Sequence, residues 1–461
     1  MHISVVMSGR HRVRGVLTAG AAHIAALGLA ASGCSGSGAD NVADPVAKVI
    51  ILPGNGTGKA RPDIPISVLV KGGKLLNVTV SGKGTKVAGA ASADGRQWRS
   101  RWTLAPNTGY HVIATALGED GKTKTVTSAF RTAKPKRTLA AAVTAPYNGE
   151  TVGVGMPIML RFNRKVTNKA QVERSLEVRS STPVVGAWRW YNDQDVIFRT
   201  KKYWPKRTKV RLLAHLTGVR AGRELYGTKD LNLAFKVGDE HISVASSRTK
   251  HMIVKRNGKK VKKIPISMGR GDVQKYTTTN GVHLAMEKSY LTVMDSSTVG
   301  CGPGCPDYYR QDVYWTVRIS NSGEFVHSAP WSVGSQGHRN VSHGCVNAGP
   351  RNAIWFYRFT RRGDVIRVTG TDRELAYDNG WGYWQLPWKR WVKGSAVKRS
   401  VRTLLLNGRP APVRHAAAAN GKPTGKPSGK PTGKPNGTPT GKPNGTPTAT
   451  PSTPGTGAVR Q

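Results

Sequence analysis

Short runs of β-branched and aromatic residues, separated by Gly, Asn and Asp, are the feature of this chain that most restricts its fold. Such runs are typical of β-strands, and several of them at short intervals are typical of a β-sandwich. The first group of runs occupies residues 49–52, 66–70, 76–80, 98–104, 110–116 and 124–130. We therefore expect a β-sandwich module over residues 46–135.

The same pattern recurs twice further along the chain. Pro135-Lys136-Arg137 marks a boundary, and a second group of runs predicts another β-sandwich over residues 136–238. A third group begins near residue 240, where Asn257-Gly258 between two runs predicts a tight hairpin. The sequence thus predicts a mainly β chain whose third domain, residues 239–370, is also predominantly β.

Tryptophans and basic residues are present in both sandwich modules. We interpret the tryptophans as core residues, the charges as solvated and the modules as spacers. Glycan binding by the same aromatic and basic side chains is the alternative.

The composition changes twice after residue 370. Residues 380–391, GWGYWQLPWKRW, are too aromatic for a solvated linker, so we expect residues 371–406 to form a subdomain that folds back onto a preceding domain. Gly-Lys-Pro units then repeat from Gly421, and such a composition cannot offset the entropy of ordering. Residues 407–461 are therefore predicted to form a disordered tail, whose lysines contact anionic polymers at most.

The N-terminus has the features of an export signal. Three arginines precede an Ala/Leu/Gly/Val stretch that ends in Ala31-Ser32-Gly33-Cys34. This ending resembles a bacterial lipobox, in which the signal is cleaved before the cysteine and the thiol receives a diacylglycerol. We therefore predict a signal over residues 1–34, lipidation of Cys34, a tether over 35–45 and an extracytoplasmic protein anchored to the membrane. An ordinary secretory signal and an uncleaved anchor are the alternatives, and both also place the chain outside the cytoplasm.

The charge of the chain restricts its partners. The 71 basic residues exceed the 25 acidic residues and give a formal net charge of +46, which favours a polyanionic environment. Nucleic acid, anionic lipid and an anionic cell-wall polymer all satisfy that charge. We predict no nucleic-acid partner, because the sequence has no RNP run, zinc-finger spacing or helix-turn-helix pattern.

Only four cysteines occur, so the chain is not a disulfide scaffold. Cys301 and Cys305 lie among glycines and prolines that can bring two thiols together, and export would permit a bridge between them. A ring of this size would stiffen a loop more than it would stabilise the fold.

Residues 327–347, HSAPWSVGSQGHRNVSHGCVN, combine a cysteine with three histidines and glycine turns. Cys345 is the candidate nucleophile, because a thiol with a neighbouring base forms a reactive thiolate. Gly344 permits a tight turn in which backbone N–H groups surround the thiol, as an oxyanion hole for acyl transfer requires. The alternatives are an inert buried thiol and a metal site, although the loop has no CxxC or HxxxH spacing.

Of the three histidines, His327 is the predicted base. It ends the expected strand 323–326, so a rigid element holds its ring. His343 lies two residues before Cys345, where a glycine turn presents backbone to the sulfur, and His338 lies in a flexible Gln336-Gly337 context. We expect His327 to raise the thiolate fraction of Cys345 at neutral pH.

The loop resembles the signature of the L,D-transpeptidase catalytic domain, a histidine followed by S/T-H-G-C-hydrophobic-N. The resemblance extends through residues 294–298, Tyr309-Arg310, Ser322-Gly323 and the tryptophan-rich segment, over about residues 45–395. It implies two immunoglobulin-like β-sandwich modules before the catalytic domain, and a lid between Met294 and Arg310 over a substrate groove. The family has a TPxG-like segment where this chain has Thr278-Thr279-Asn280-Gly281, without a proline.

The resemblance also implies roles for individual residues. Cys345 would attack a peptidoglycan stem peptide with His327 as proton shuttle, and Ser328 would orient the His327 ring. Backbone amides of His343, Gly344 and Cys345, with Tyr309, would stabilise the oxyanion. Met294, Tyr309, Ser322, Gly323 and Asn347 would contact the substrate or hold its loop. Carbapenems would acylate Cys345, and neither a metal nor an organic cofactor would be needed.

Three other functions fit parts of the sequence. An L,D-carboxypeptidase, or an enzyme that attaches wall proteins, would use the same site. A non-catalytic wall-binding lipoprotein would use only the modules and the basic tail, but the intact HGC loop argues against it. A sortase would carry a TLxTC-like strand, and a papain-like peptidase would place its cysteine before its histidine, so neither fits the order found here.

Overall fold

The structure is a computed structural model that describes residues 46–410, and it is mainly β, as predicted. The predicted signal, Cys34, the tether as far as residue 45 and the tail beyond residue 410 lie outside the described residues. Between residues 46 and 410, no helix is long and apolar enough to cross a membrane.

The first group of strands forms two four-stranded antiparallel sheets, in the orders β1-β2-β6-β5 and β4-β3-β7-β8. Strand β7 alternates buried and exposed residues, so one face packs on a core that contains Trp98, Tyr110 and Phe130. The strands are β1 Lys48–Leu52, β2 Ser67–Lys71, β3 Gly73–Gly82, β4 Thr85–Lys86, β5 Gly89–Ala91, β6 Gln97–Ser100, β7 Gly109–Gly118 and β8 Thr123–Arg131.

The second group forms a four-stranded sheet, a small three-stranded sheet and four strands of a five-stranded sheet, whose fifth strand comes from the C-terminal segment. Their common core contains Phe162, Phe198 and Trp204, each almost fully buried. The elements are β9 Arg137–Leu139, β10 Ala141–Ala145, β11 Thr151–Val152, β12 Ile158–Phe162, α1 Lys169–Arg174, β13 Leu176–Ser180, β14 Val185–Trp190, β15 Asp195–Thr200, β16 Lys209–Ala214, β17 Arg220–Gly222, β18 Leu225–Gly227 and β19 Leu231–Val237.

The third group forms one nine-stranded mixed sheet in the order β23-β28-β20-β21-β22-β27-β26-β25-β24. The predicted Asn257-Gly258 hairpin is confirmed, since both residues have positive φ between β21 and β22. The elements are β20 His241–Ser246, β21 His251–Arg256, β22 Lys259–Ser267, β23 Gly281–Leu284, β24 Glu287–Asp295, β25 Arg310–Arg318, β26 Phe325–Ser328, β27 Val346–Ala348, α2 Pro350–Phe359 and β28 Val365–Thr369. Short 3-10 turns occupy Gln274–Tyr276, Ser296–Val299, Pro330–Ser335 and Gly382–Gln385.

The tryptophan-rich segment packs on the second group of strands, which confirms the prediction that it folds back. Its last two elements are α3 Trp388–Lys393 and β29 Val401–Arg402, and β29 pairs with β14. Trp391 is fully buried, and its indole N–H donates to the Ala187 carbonyl at 2.9 Å. The described chain continues to residue 410 through a turn in which the Gly408 N–H donates to the Leu405 carbonyl at 2.8 Å.

Candidate active site

The parallel pairing of β26 with β27 brings the two ends of the 327–347 loop together. His327 lies opposite Asn347, and Val326 lies opposite Val346. Because side chains alternate along a strand, Val326 and Val346 face the core and His327 shares the other face with Cys345 and Asn347. All three line a cavity of about 300 Å³.

The thiol of Cys345 is buried and free of any disulfide. Its Sγ lies 3.6 Å from the Gly323 carbonyl oxygen, to which the thiol donates. Burial raises the pKa of Cys345 to about 12, and the backbone N–H of Phe325 only partly opposes that effect. The thiol is therefore protonated at neutral pH, which corrects the expectation that His327 maintains a standing thiolate fraction.

His327 is also buried, but it lies inside β26 rather than at the end of a strand over 323–326. Its Nδ1 lies 2.9 Å from the Ser328 backbone carbonyl, which can only accept, so Nδ1 carries the hydrogen and Nε2 the lone pair. Burial lowers the pKa of His327 to about 4, although Ser328 and Asn347 act in the opposite direction. The ring is therefore a neutral base held in one tautomer.

The other two histidines of the loop have different surroundings. His343 is half-buried, and its Nε2 lies 3.8 Å from Oδ1 of Asp307, with Tyr276 against the ring at a centroid distance of 4.4 Å. Burial and the neighbouring Arg270 lower the pKa of His343. His338 is exposed, and its backbone N–H donates to the Ser335 carbonyl.

The turn before Cys345 is held by its own side chains. Gly344 has φ +120°, a conformation that side-chain-bearing L residues rarely adopt. The Ser342 hydroxyl donates to the Cys345 carbonyl at 2.6 Å and accepts the Gly344 N–H at 3.2 Å. Among residues 46–410, the N–H groups of His343 and Cys345 have no such partner, so they are free to donate to a bound oxyanion.

The segment between Met294 and Arg310 covers this turn. Met294 packs with Val313, Phe325 and Cys345, and Tyr309 packs against them. Within the segment Cys301 and Cys305 form a disulfide, and the Ser296 hydroxyl accepts the Tyr309 N–H at 2.9 Å. Burial raises the pKa of Tyr309 to about 12, so its phenol keeps its proton at neutral pH.

A second cavity, of about 480 Å³, lies on the other side of Met294, Tyr309 and His343, which line both cavities. Ser322 and Gly323 line this larger cavity, whereas Asn347 lines the smaller one and donates to the Ser332 hydroxyl at 3.0 Å. The larger cavity is also lined by Lys275, Asp295, Arg318, Glu324 and Arg373.

Sequence reasoning missed several residues of the site. Trp331 stacks on His327 at 5.9 Å between ring centroids. Its position within residues 327–347 could have indicated that it belongs to the site. Arg270 pairs with Asp307 of the covering segment at 2.8 Å, a contact between distant residues that no local pattern indicates. Between residues 46 and 410, no three His, Cys, Asp or Glu side chains cluster as metal ligands would.

Comparisons with known proteins agree with the resemblance drawn from the loop. Residues 239–368 match the family described as L,D-transpeptidase catalytic domain, and residues 57–220 match the family described as Bacterial Ig domain.

Two curated relatives come from Mycobacterium tuberculosis. The chain is 40% identical to L,D-transpeptidase 2 (strain CDC 1551 / Oshkosh) over 337 residues, which cover 72% of this chain and 81% of that protein. It is 33% identical to L,D-transpeptidase 5 (strain ATCC 25618 / H37Rv) over 360 residues, 77% of this chain and 78% of that protein. The solved structure of the LD transpeptidase LdtMt1 in complex with imipenem is 36% identical and covers 51% of this chain and 100% of its own, with a TM-score of 0.44.

Proposed function

This chain belongs to the L,D-transpeptidase family, and from that premise we propose that it forms 3-3 cross-links between peptidoglycan stem peptides through a thioester on Cys345. The observation that carries the proposal is the neutral His327 ring, which shares a strand face and a cavity with the Cys345 thiol. A thiol and a base placed in this way are the elements of nucleophilic acyl transfer.

Acylation would begin with a neutral pair. Nε2 of His327 takes the thiol proton as Sγ attacks the carbonyl carbon of the third residue, a diamino acid, of a tetrapeptide stem. When the tetrahedral intermediate collapses, the C–N bond to the terminal D-Ala breaks. His327 returns the proton to the leaving amine, and a thioester remains on Cys345. The Ser328 carbonyl holds the ring in the tautomer that this cycle requires.

The turn would stabilise the oxyanion of that intermediate. The free N–H groups of His343 and Cys345 supply donors, and the protonated Tyr309 phenol supplies a third. Gly344 contributes by its backbone conformation rather than by its N–H, because that N–H is already bonded to Ser342.

Deacylation would use the amine of a second stem. The amine attacks the thioester carbon, His327 takes a proton from it, and the C–S bond breaks to return the thiol. Two cavities that meet at Met294, Tyr309 and His343 support binding of two stems, with Ser322 and Gly323 on one side and Asn347 on the other. Water attacking the same thioester would give an L,D-carboxypeptidase, and a protein amine would give wall-protein attachment.

The remainder of the chain would place this site at the wall. We propose that the immunoglobulin-like modules, divided near residues 135 and 238, act as spacers, and that the net charge of +46 favours anionic wall polymers. Lipidation at Cys34 would anchor the protein outside the cytoplasm, and membrane retention that persists after Cys34→Ala would exclude that anchor. A non-catalytic wall-binding lipoprotein does not account for the arrangement of His327 and Cys345.

Mass spectrometry of muropeptides incubated with the purified protein tests the reaction. We expect cross-linked dimers that join two diamino acids, with one D-Ala released for each dimer, and no dimer with Cys345→Ala. Cross-links that still form with Cys345→Ala would contradict the proposed nucleophile. A product that has lost D-Ala without forming a dimer would identify the carboxypeptidase instead.

A further inference from the structure

Glu324 is a buried carboxylate beside the catalytic turn, and the proposed reaction gives it no role. It is 3% exposed, immediately precedes β26 and lines the larger cavity. Both of its oxygens are bonded to one residue, because Oε1 accepts the Thr279 N–H and Oε2 accepts the Thr279 hydroxyl, each at 2.7 Å. A carboxylate held at both oxygens in the interior is rigid, and its charge acts over a short range through little solvent.

Glu324 belongs to a closed ring of contacts, which we call the clamp: Glu324, Thr279, His283 and Ile319. The Thr279 carbonyl lies 2.8 Å from Nε2 of His283, whose Nδ1 lies 3.2 Å from the Ile319 carbonyl. The Ile319 N–H then donates to the Glu324 carbonyl at 2.9 Å. All four residues are at most 3% exposed. Both carbonyls are acceptors, and an imidazole with one N–H can donate to only one of them, so the local backbone is fixed mainly by the bonds of Glu324 to Thr279 and Ile319.

The clamp is joined to the catalytic turn by the residue next to Thr279. The Thr278 hydroxyl donates to the Gly344 carbonyl at 2.8 Å and accepts the Gly269 N–H at 2.8 Å. Glu324 also approaches the turn directly, since a Cβ added at Gly344 would lie 3.8 Å from its Cγ. The segment 278–281 has no proline in this chain, and the hydrogen bonds of Thr278 and Thr279 hold it against the turn.

We infer that Glu324 is a positioning residue, which acts through Thr279 and Thr278 to hold the Gly344–Cys345 turn in its reactive conformation. The inference rests on the proposed function only in taking Cys345 as the nucleophile. Glu324 itself does not touch the reacting atoms.

The charge of Glu324 has a second consequence for Cys345. Burial is the main cause of the raised pKa of the thiol, and the Glu324 carboxylate raises it further, whereas the Phe325 N–H and Arg318 lower it. The other titratable groups that face the thiol are His327, Tyr309 and His343. Removing the charge while keeping the clamp should therefore make the thiol ionise at lower pH.

Glu324→Gln separates charge from geometry. The amide oxygen can accept the Thr279 N–H, and the amide NH₂ can donate to the Thr279 hydroxyl, so both contacts of the clamp persist. Because the pKa of the thiol is about 12, the measurable part of the alkylation profile is the rise of the iodoacetamide rate below about pH 9. We expect this rise to move to lower pH by on the order of half a unit to one unit, which makes alkylation about three- to tenfold faster at a given pH. A profile that is unchanged or moves to higher pH would overturn the electrostatic part of the inference.

Thr279→Val tests the clamp with the Glu324 charge in place. It removes one of the two bonds to the carboxylate, and we expect acylation of Cys345 by a carbapenem to slow by about tenfold. Wild-type acylation in this variant would overturn the positioning role. If Thr279→Val is unstable, His283→Gln tests the clamp at its contact with the Thr279 carbonyl: slower acylation supports the positioning role, and wild-type acylation overturns it. The melting temperature of each variant is measured alongside.

The matched control is Glu374→Gln, because Glu374 is exposed and bonds Asn280 of the same segment at 2.7 Å. The alkylation profile and the acylation rate should both stay at wild-type values in this control. Alkylation requires only the thiol and no cross-linking activity. If the wild type forms no cross-links but Glu324→Gln still moves the alkylation profile to lower pH, the proposed function is contradicted and this inference is not.

Discussion

Burial disfavours the charged forms of both Cys345 and His327, so the two groups share their cavity in their neutral forms. Burial raises the pKa of the thiol to about 12 and lowers the pKa of the ring to about 4, so both groups are neutral at physiological pH. In the proposed reaction, the proton therefore moves during attack on the substrate rather than before it.

The lowered pKa of His327 has a measurable effect on stability. In the unfolded chain the ring takes a proton near pH 6.5, whereas in the folded chain it does so only near pH 4. The unfolded state therefore binds more protons between these values, and stability is lost as the pH falls from about 6.5 to about 4, by roughly 3 kcal/mol in total.

Hydrogen exchange of the β26 and β27 amides at pH 7.5 and pH 4.5 measures this loss. His327→Gln should lose less protection than the wild type on acidification, because glutamine does not titrate. His338→Gln, at an exposed position, should behave as the wild type. An equal loss of protection in all three proteins would contradict the neutral buried ring.

The tight turn at Gly344 and the approach of His327 to Cys345 could be predicted at this scale, because these residues lie within one loop of the sequence, and their catalytic roles stay predictions. The closed ring of Glu324, Thr279, His283 and Ile319 was not predictable. Its contacts join residues up to 45 positions apart, and their geometry exists only once the sheet has formed.

Among the elements, the turn that leads into β27 depends on one backbone conformation. A side chain at Gly344 would have room, since its nearest contacts would be at 3.8 Å, but φ +120° is unfavourable for any L residue that carries one. Gly344→Ala should therefore cost about 1–3 kcal/mol of stability or displace Cys345.

Carbapenem acylation and the melting temperature measure this effect in Gly344→Ala. Gly271→Ala is the control, because Gly271 has no atom within 4 Å of the added Cβ and no positive φ. The account predicts a slower or less stable Gly344→Ala and an unaltered Gly271→Ala. Two variants that both behave as the wild type would show that the turn tolerates other conformations.

Local sequence patterns predicted the helices, strands and turns more reliably than the residues at which they begin and end. The Asn257-Gly258 turn was predicted correctly because its conformation depends on those two residues. Helix α2 begins at Pro350, whose fixed φ suits the first helical position. His327 lies within β26 because β26 pairs with β25 and β27, and pairing between distant strands is not encoded locally.

On the scale of the whole molecule, the C-terminal segment contacts both the nine-stranded sheet, where Gln385 accepts the Val282 N–H at 2.7 Å, and the second group of strands. Arg199 lies between Trp384 and Trp391, at 4.8 and 4.7 Å from their ring centroids, and donates to the Leu386 carbonyl at 2.6 Å. The aromatic composition predicted that this segment is packed, but it could not show that the partner is a buried arginine in β15.

Trp391→Ala should detach α3, since truncating a fully buried tryptophan costs about 3–5 kcal/mol. Limited trypsin digestion, with mass detection of cleavage after Lys389 or Arg390, measures the opening. We expect cleavage on the order of a hundredfold faster than in the wild type. Trp331→Ala, at a side chain that is 55% exposed, should leave that cleavage unchanged. Equal rates in the two variants would contradict the packing role of Trp391.

We propose that, of the three histidines of the loop, only His327 activates Cys345. Stopped-flow acylation of Cys345 by a carbapenem, in His327→Ala, His338→Ala and His343→Ala, tests it most directly. We expect His327→Ala to slow acylation by several orders of magnitude. His338→Ala should retain most of the rate, and His343→Ala should be intermediate because it disturbs the turn. Near wild-type acylation in His327→Ala together with an inactive His338→Ala would contradict the account.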